Sequence, residues 1–186
     1  RLAISEKIGM HGDKGWLIIK SLIDRYEEDK ALIYAAGLCH HKEAKRWLLN
    51  KLEQKGKIRT EIVQAISCWG GAIPQQIIAR ILQEPSLENR LAALDMLQFK
   101  AHQLTDQELL ELTEEAIKDI RDDVVIKTIR ILQRRNGILI CDRLAEVAYK
   151  GSDATAKIAL IALGSIETKD SLITLKKLCR TLPNGE

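Results

Sequence analysis

The chain has 186 residues, a formal charge of +3 from 29 Lys and Arg against 26 Asp and Glu, and 46% apolar residues. That apolar share lies well above the range of disordered chains, and the charge is too small to imply nucleic acid by itself. No run of about 18 apolar residues occurs, which excludes a membrane-spanning helix. Leu, Ile and Ala dominate, one Phe and three Tyr leave few aromatics for a sandwich or barrel, and three Pro and eleven Gly fall between apolar runs, so an all-α protein is expected. The opening Arg1-Leu2-Ala3-Ile4-Ser5 lacks the long apolar core of a signal peptide. Its lack of an initiating Met suggests a trimmed or partial chain. Cys39, Cys68, Cys141 and Cys179 stand singly and far apart, the usage of buried reduced thiols in a cytoplasmic protein.

In chain order, Leu2–Ile8 reads as the remnant of a first helix. Asp13-Lys14-Gly15 precedes a helix from Trp16 to about Glu28, followed by a second over Asp29–Leu38. After the turn Cys39-His40-His41, a third runs Lys42–Gln54 with Trp47, Leu48, Leu49 and Leu52 on one face, and Gly56 caps it. Helices follow at Glu61–Trp69, Gln75–Gln83 behind Pro74, and Leu87–Phe99 behind Pro85-Ser86. Thr105 and Glu108 form a capping box for Asp106–Ile117. Val124–Gln133, the turn Asn136-Gly137, and Ile138–Tyr149 come next. The last pair, Asp153–Leu163 and Lys169–Arg180, is expected to hinge at Gly164-Ser165. Ala154, Ala156, Ala159 and Ala162 keep its first helix slim enough for close approach by a neighbour.

Two-helix units recur along the chain. Aligned on the ends of their first helices, Gly37, Cys68, Gln98, Arg134 and Gly164 fall in register at intervals of 31, 30, 36 and 30 residues. Trp16 and Trp47 also lie 31 residues apart. A unit of this size buries its apolar face only against its neighbours, so the period predicts an α-solenoid of about five and a half two-helix repeats. The repeats are roughly 1–28, 29–56, 57–84, 86–118, 121–150 and 152–182, within one domain over 1–186.

The spacing is below that of tetratricopeptide repeats, and the ankyrin signature is absent. Asp153…Lys157, Ala159-Leu160 and Ala162-Leu163-Gly164 resemble the HEAT-like repeat, as do Arg90…Ala92-Ala93-Leu94 and, less fully, Asp123-Val124-Val125…Lys127. The likeness is greatest to the short HEAT-like repeats of the phycobilisome bilin-lyase type, and it covers about residues 13 to 180. It implies a right-handed superhelix whose second helices line the concave face. The Leu-Gly ending is complete only in the last repeat, with Ala36-Gly37 a partial echo in the first. The kinking proline of many such first helices is missing, so straight, short helices are expected.

Among candidate chemistries, Cys39-His40-His41 offers soft metal ligands, but no second cysteine falls at ligand spacing, and an exposed turn is expected with no metal and no cofactor. Adjacent His40 and His41 are poorly placed to activate Cys39 as a nucleophile. No phosphate-cradling loop, HExxH motif or nucleophile elbow occurs. The Glu27-Glu28 and Glu114-Glu115 pairs read as solvated faces, Trp16 and Trp47 as core, and Trp69 beside Gly70-Gly71 as the exposed aromatic.

Charge is distributed more tellingly. Residues 42–59 carry seven Lys or Arg and two Glu, whereas 103–117 carry five acids and no base. Residues 118–135 return to six bases and three acids, and 169–180 to four and one. The binding surface is therefore expected at Lys42, Lys45, Arg46, Trp69, Arg80, Glu108, Glu111, Glu115 and Lys176. Lys51, Lys169 and Lys177 extend its basic ends. Alternating charge of this kind fits a groove for a protein or peptide of mixed charge, that is, a non-enzymatic interaction scaffold. The resemblance also implies narrower functions: a phycobiliprotein partner, as a bilin lyase subunit or phycobilisome-degradation factor, or a DNA-binding protein of the HEAT-like glycosylase type. The acidic stretch 103–117 opposes phosphates and disfavours nucleic acid.

Overall fold

A computed structural model describes residues 2–26, 29–54 and 58–181. The Glu27-Glu28 pair and the Gly56 cap lie outside the described residues. Among the described residues the protein is all-helical, with twelve α-helices, two short 3-10 turns and no strand. The helices are α1 Leu2–Gly9, α2 Asp13–Tyr26, α3 Lys30–Leu38, α4 Lys42–Glu53, α5 Thr60–Ser67, α6 Gln75–Leu82 and α7 Leu87–Lys100. They continue as α8 Asp106–Ile117, α9 Asp122–Leu132, α10 Ile138–Lys150, α11 Asp153–Ile166 and α12 Lys169–Thr181. None among the described residues is long and apolar enough to cross a membrane. The chain forms two compact units, residues 1–100 and 101–186.

In the first unit α1, α3, α5 and α7 pack one against the next, while α2 lies on α1 and α3, α4 on α3 and α5, and α6 on α7. The row of odd helices is tight because glycines stand where backbones cross. A Cβ at Gly9 would lie 2.7 Å from the Ala35 carbonyl oxygen, and one at Gly37 would lie 2.5 Å from that of Ala65. Ile33, Ala35, Ala36, Val63, Ala65, Ile66, Leu94 and Leu97 are fully buried along this row. Each large aliphatic side chain so placed stabilises by about 1.5–3 kcal/mol relative to exposure.

In the second unit α9 and α11 pack side by side, and α8, α10 and α12 form the other row, α10 lying between α8 and α12. Leu109, Val124, Ile129, Leu132, Ile140, Leu144, Ala159 and Leu163 make its core. Polar side chains fix where helices start. Asp29 accepts from the amides of Ala31 and Leu32, Ser152 accepts from Thr155, and Thr105 with Glu108 makes a complete capping box.

Several boundaries differ from the sequence expectation. Leu2–Gly9 is a formed helix packed on α2 and α3, so helices pair from the start of the described chain. Helix α2 begins at Asp13, since Gly12 turns the chain at φ +58° and its carbonyl accepts the Trp16 amide. Helix α5 ends at Ser67, and Gly70-Gly71-Ala72 form a 3-10 turn. The expected hinge at Gly164-Ser165 is absent: α11 continues through both residues and leaves the helix at Glu167, whose φ is +55°. A helix-interior glycine costs only about 1 kcal/mol relative to alanine, too little to end a helix packed on both α9 and α10. The break comes where Thr168 and Ser171 exchange amide-to-hydroxyl hydrogen bonds and start α12.

Candidate functional site

Helix α8 turns Leu109, Thr113, Ala116 and Ile117 into the core of the second unit. Helix α10 likewise buries Ile140, Cys141, Leu144, Val147 and Ala148. The helical period then sets Gln107, Glu111 and Glu115 of α8, and Leu139, Asp142 and Glu146 of α10, outward and exposed. Between the two helices runs a groove of about 520 Å³ with Leu110 and Leu139 in its walls. Arg143 spans it, with Nη1 2.6 Å from Glu114 and Nε 3.7 Å from Glu146. Lys118 pairs with Glu114, and Lys150 lies 3.0 Å from Glu146. The hydrogen bond from Lys118 is the main reason the Glu114 carboxyl is held below its usual range, and that from Lys150 does the same for Glu146. These pairs are solvent-accessible, so each contributes little stability.

Past Arg143 and Glu146 a second cavity of about 370 Å³ opens at the C-terminal ends of α8 and α10. Ile117, Val125 and Val147 line it, and Ile120 on its edge is 97% exposed. Asp119, also in its lining, is bound by Arg121 through two guanidinium contacts of 2.8 and 2.7 Å.

In the first unit the space between α2 and α4 is filled. Trp16 is 3% exposed, and its indole N–H donates to Glu43 at 3.0 Å. Lys20 donates to the same oxygen at 2.9 Å. The indole bond first, and Lys20 second, hold the Glu43 carboxyl below its usual range. Trp16 also stacks on His41 at 5.9 Å and lies tilted against Trp47 at 6.4 Å, with Lys51 placed over the Trp47 ring. Trp16 is core as expected, whereas Trp47 is half-buried.

The turn Cys39-His40-His41 separates its three side chains. Cys39 is buried, its thiol donating to the Ala36 carbonyl and pushed up in pKa by burial. His40 adopts φ +50° and meets Trp69 edge-on at 5.4 Å. His41 caps α4, its Nδ1 accepting from the Glu43 amide at 3.2 Å. Among the described residues no group of three His, Cys, Asp or Glu side chains is arranged to hold a metal ion. Cys68 is half-buried, Cys141 buried and Cys179 exposed, and all four thiols are free. Burial raises Cys68 and Cys141 as well.

The anticipated surface residues fall into groups. Lys42 and Arg46 are exposed on α4, while Lys45 is half-buried and donates to the Ala72 carbonyl at 2.6 Å. Trp69 is half-buried against His40 rather than exposed, and Arg80 is exposed on α6. Glu108 is tied into the Thr105 cap, whose backbone amide is the main cause of its lowered pKa. Glu111 lines the α8–α10 groove and accepts from Gln107 at 2.7 Å. Glu115 and, on α12, Lys176 are exposed. The residues that complete the groove, Leu139, Asp142, Arg143 and Glu146, were not anticipated. Counting net charge by segment passes over α10, where Asp142 and Glu146 cancel Arg143 and Lys150. The signal is the helical stripe of exposed Leu139, Asp142 and Glu146 with half-buried Arg143, beside that of α8. No protein-family model matches the chain, and no curated protein matches it.

Proposed function

We propose that the protein is a non-enzymatic interaction scaffold, an α-solenoid of HEAT-like helix pairs that binds a protein or peptide along its even-numbered helices. The observation that carries this reading is the α8–α10 groove, open to solvent, with exposed leucine in its wall and carboxylates along its rim. The packing within each unit supports the repeat reading, because each odd helix lies against the next odd helix and against an even one. Such a row leaves one face of the even helices free to present side chains. Exposed Glu111 and Glu115 disfavour a polyanion there.

The test is affinity capture with the intact chain and two charge-reversed forms, Lys42→Glu/Arg46→Glu and Glu111→Lys/Glu115→Lys. A protein retained by the native chain and lost from at least one reversed form supports the scaffold. Identical retention on all three, or no retention on any, overturns it.

A further inference from the structure

We infer that the groove between α8 and α10 receives a basic peptide segment, seating an aliphatic side chain on Leu110 and Leu139 and pairing Lys or Arg side chains with Glu111 and Asp142. The inference rests on the scaffold reading and names its partner. The groove comes first. Its volume of about 520 Å³ is within the range of ligand-binding clefts. Leu139 is 47% exposed beside Ile138 at 55%, in the first turn of a helix whose later aliphatic residues Ile140, Leu144 and Val147 are buried. An aliphatic side chain laid there would remove both leucines from water.

Charge then selects the occupant. Four carboxylates line the groove, from Glu111, Glu114, Asp142 and Glu146, against the single cation Arg143. Glu114 and Glu146 already hold Arg143 between them and take Lys118 and Lys150 at their outer sides. Glu111 and Asp142 have no cationic partner among the described residues. An acidic segment would therefore meet two unneutralised carboxylates with no cation available to it. A basic segment supplies what those two lack, and complementarity of this kind sets both partner choice and encounter rate.

The geometry also limits length. Gln107 to Glu114 of α8 spans about 10 Å, the reach of some three extended residues. An extended Lys-Leu-Lys puts its leucine between the two helices, and the flanking lysines, which leave the backbone on the opposite side, reach the rim carboxylates by folding their long stems over the groove edges. The shared lining of the two cavities by Arg143 and Glu146 lets a longer segment continue toward Ile117, Ile120 and Val125.

Fluorescence anisotropy tests this with three labelled probes of the same length: alternating Lys and Leu, alternating Glu and Leu, and alternating Lys and Ser. The intact chain is expected to bind the Lys/Leu probe saturably, the Lys/Ser probe at least tenfold more weakly, and the Glu/Leu probe not at all. Glu111→Gln/Asp142→Asn and Leu139→Asn, all at exposed positions, are each expected to weaken the Lys/Leu probe at least tenfold with helicity unchanged. Lys42→Glu/Arg46→Glu, in the other unit, should not weaken it. Absence of Lys/Leu binding, or binding unaffected by both groove variants, overturns the inference. If capture is abolished by the α4 reversal but unaffected by Glu111→Gln/Asp142→Asn, the scaffold stands and the groove assignment falls. If no form of the chain retains a partner, the scaffold falls first.

Discussion

Replacing Gly37 by alanine should destabilise the first unit, although alanine is the better helix former. In an open helix interior, Gly→Ala is stabilising by about 0.5–1 kcal/mol. At Gly37 the added methyl would lie 2.5 Å from the Ala65 carbonyl oxygen and 2.8 Å from its Cα, so it meets backbone on α5 and not a side chain that can turn away. Reaching an ordinary contact moves α3 and α5 apart by roughly an ångström, across a row where Val63, Ala65 and Ile66 are fully buried. Overpacking of this kind costs about 1–3 kcal/mol, more than the propensity gain returns. Gly164→Ala supplies the control, because a methyl there meets nothing within 4 Å and lies inside α11. Urea unfolding followed by circular dichroism should show a lower midpoint for Gly37→Ala and a slightly higher one for Gly164→Ala. In thermal melts, 1 kcal/mol corresponds to about 2–4 °C for a chain of this size. A Gly37→Ala protein at least as stable as the native chain would refute the close crossing of α3 and α5.

Asn89 is fully buried and neither polar atom of its amide finds a hydrogen-bond partner among the described residues, so Asn89→Leu, which keeps the branching, should stabilise by about 1–3 kcal/mol in urea unfolding; a loss of stability would count against that environment. The Glu43 carboxyl is held low chiefly by the Trp16 indole, so the associated stability is present above the unfolded pKa of about 4.3 and fades as pH falls through the lower folded value. The stability gap between the native chain and Trp16→Phe should therefore narrow in acid, and a gap independent of pH would exclude this hydrogen bond as its source. Timed iodoacetamide labelling followed by peptide-mapping mass spectrometry should find exposed Cys179 labelled first and buried Cys39 and Cys141 last; early labelling of Cys141 would contradict the packing of α10.

The helices were legible because Leu, Ile and Ala recur at three and four along the chain, a pattern that needs no partner to be seen. The Thr105–Glu108 box was legible for the same reason, since both partners lie within one turn. What required the third dimension was not. Gly164 reads as a breaker until its neighbours show α11 running past it, and nothing in the identity of Glu167 marks it as the left-handed residue that ends the helix. Trp69 beside two glycines reads as exposed, yet the left-handed backbone of His40, some thirty residues earlier, brings an imidazole onto it. Gly9 and Gly37 are visible in the sequence, but Ala35 and Ala65, which make alanine unwelcome there, are not identifiable without the packing. The acidic half of the groove is legible in α8, whereas α10 gives no charge signal because its charges cancel in any sum over the segment.

The odd helices of the first unit approach so closely that only glycine and alanine fit at their crossings, at Gly9 with Ala35 and at Gly37 with Ala65. Such positions cannot vary without moving backbone, so they specify packing and can carry little information about a partner. Between even helices long side chains also make contact, and they leave different amounts of space. Between α2 and α4 that space is closed by Trp16, Trp47, His41 and Glu43. Between α8 and α10 it is bridged by Arg143 with Glu114 and Glu146, and the remainder is left open. Indoles fill the gap with their own area, whereas a guanidinium held by two carboxylates spans it without filling it. The same kind of helix contact is thus a sealed joint in the first unit and a groove in the second, and the difference is made by a few long side chains on the even helices.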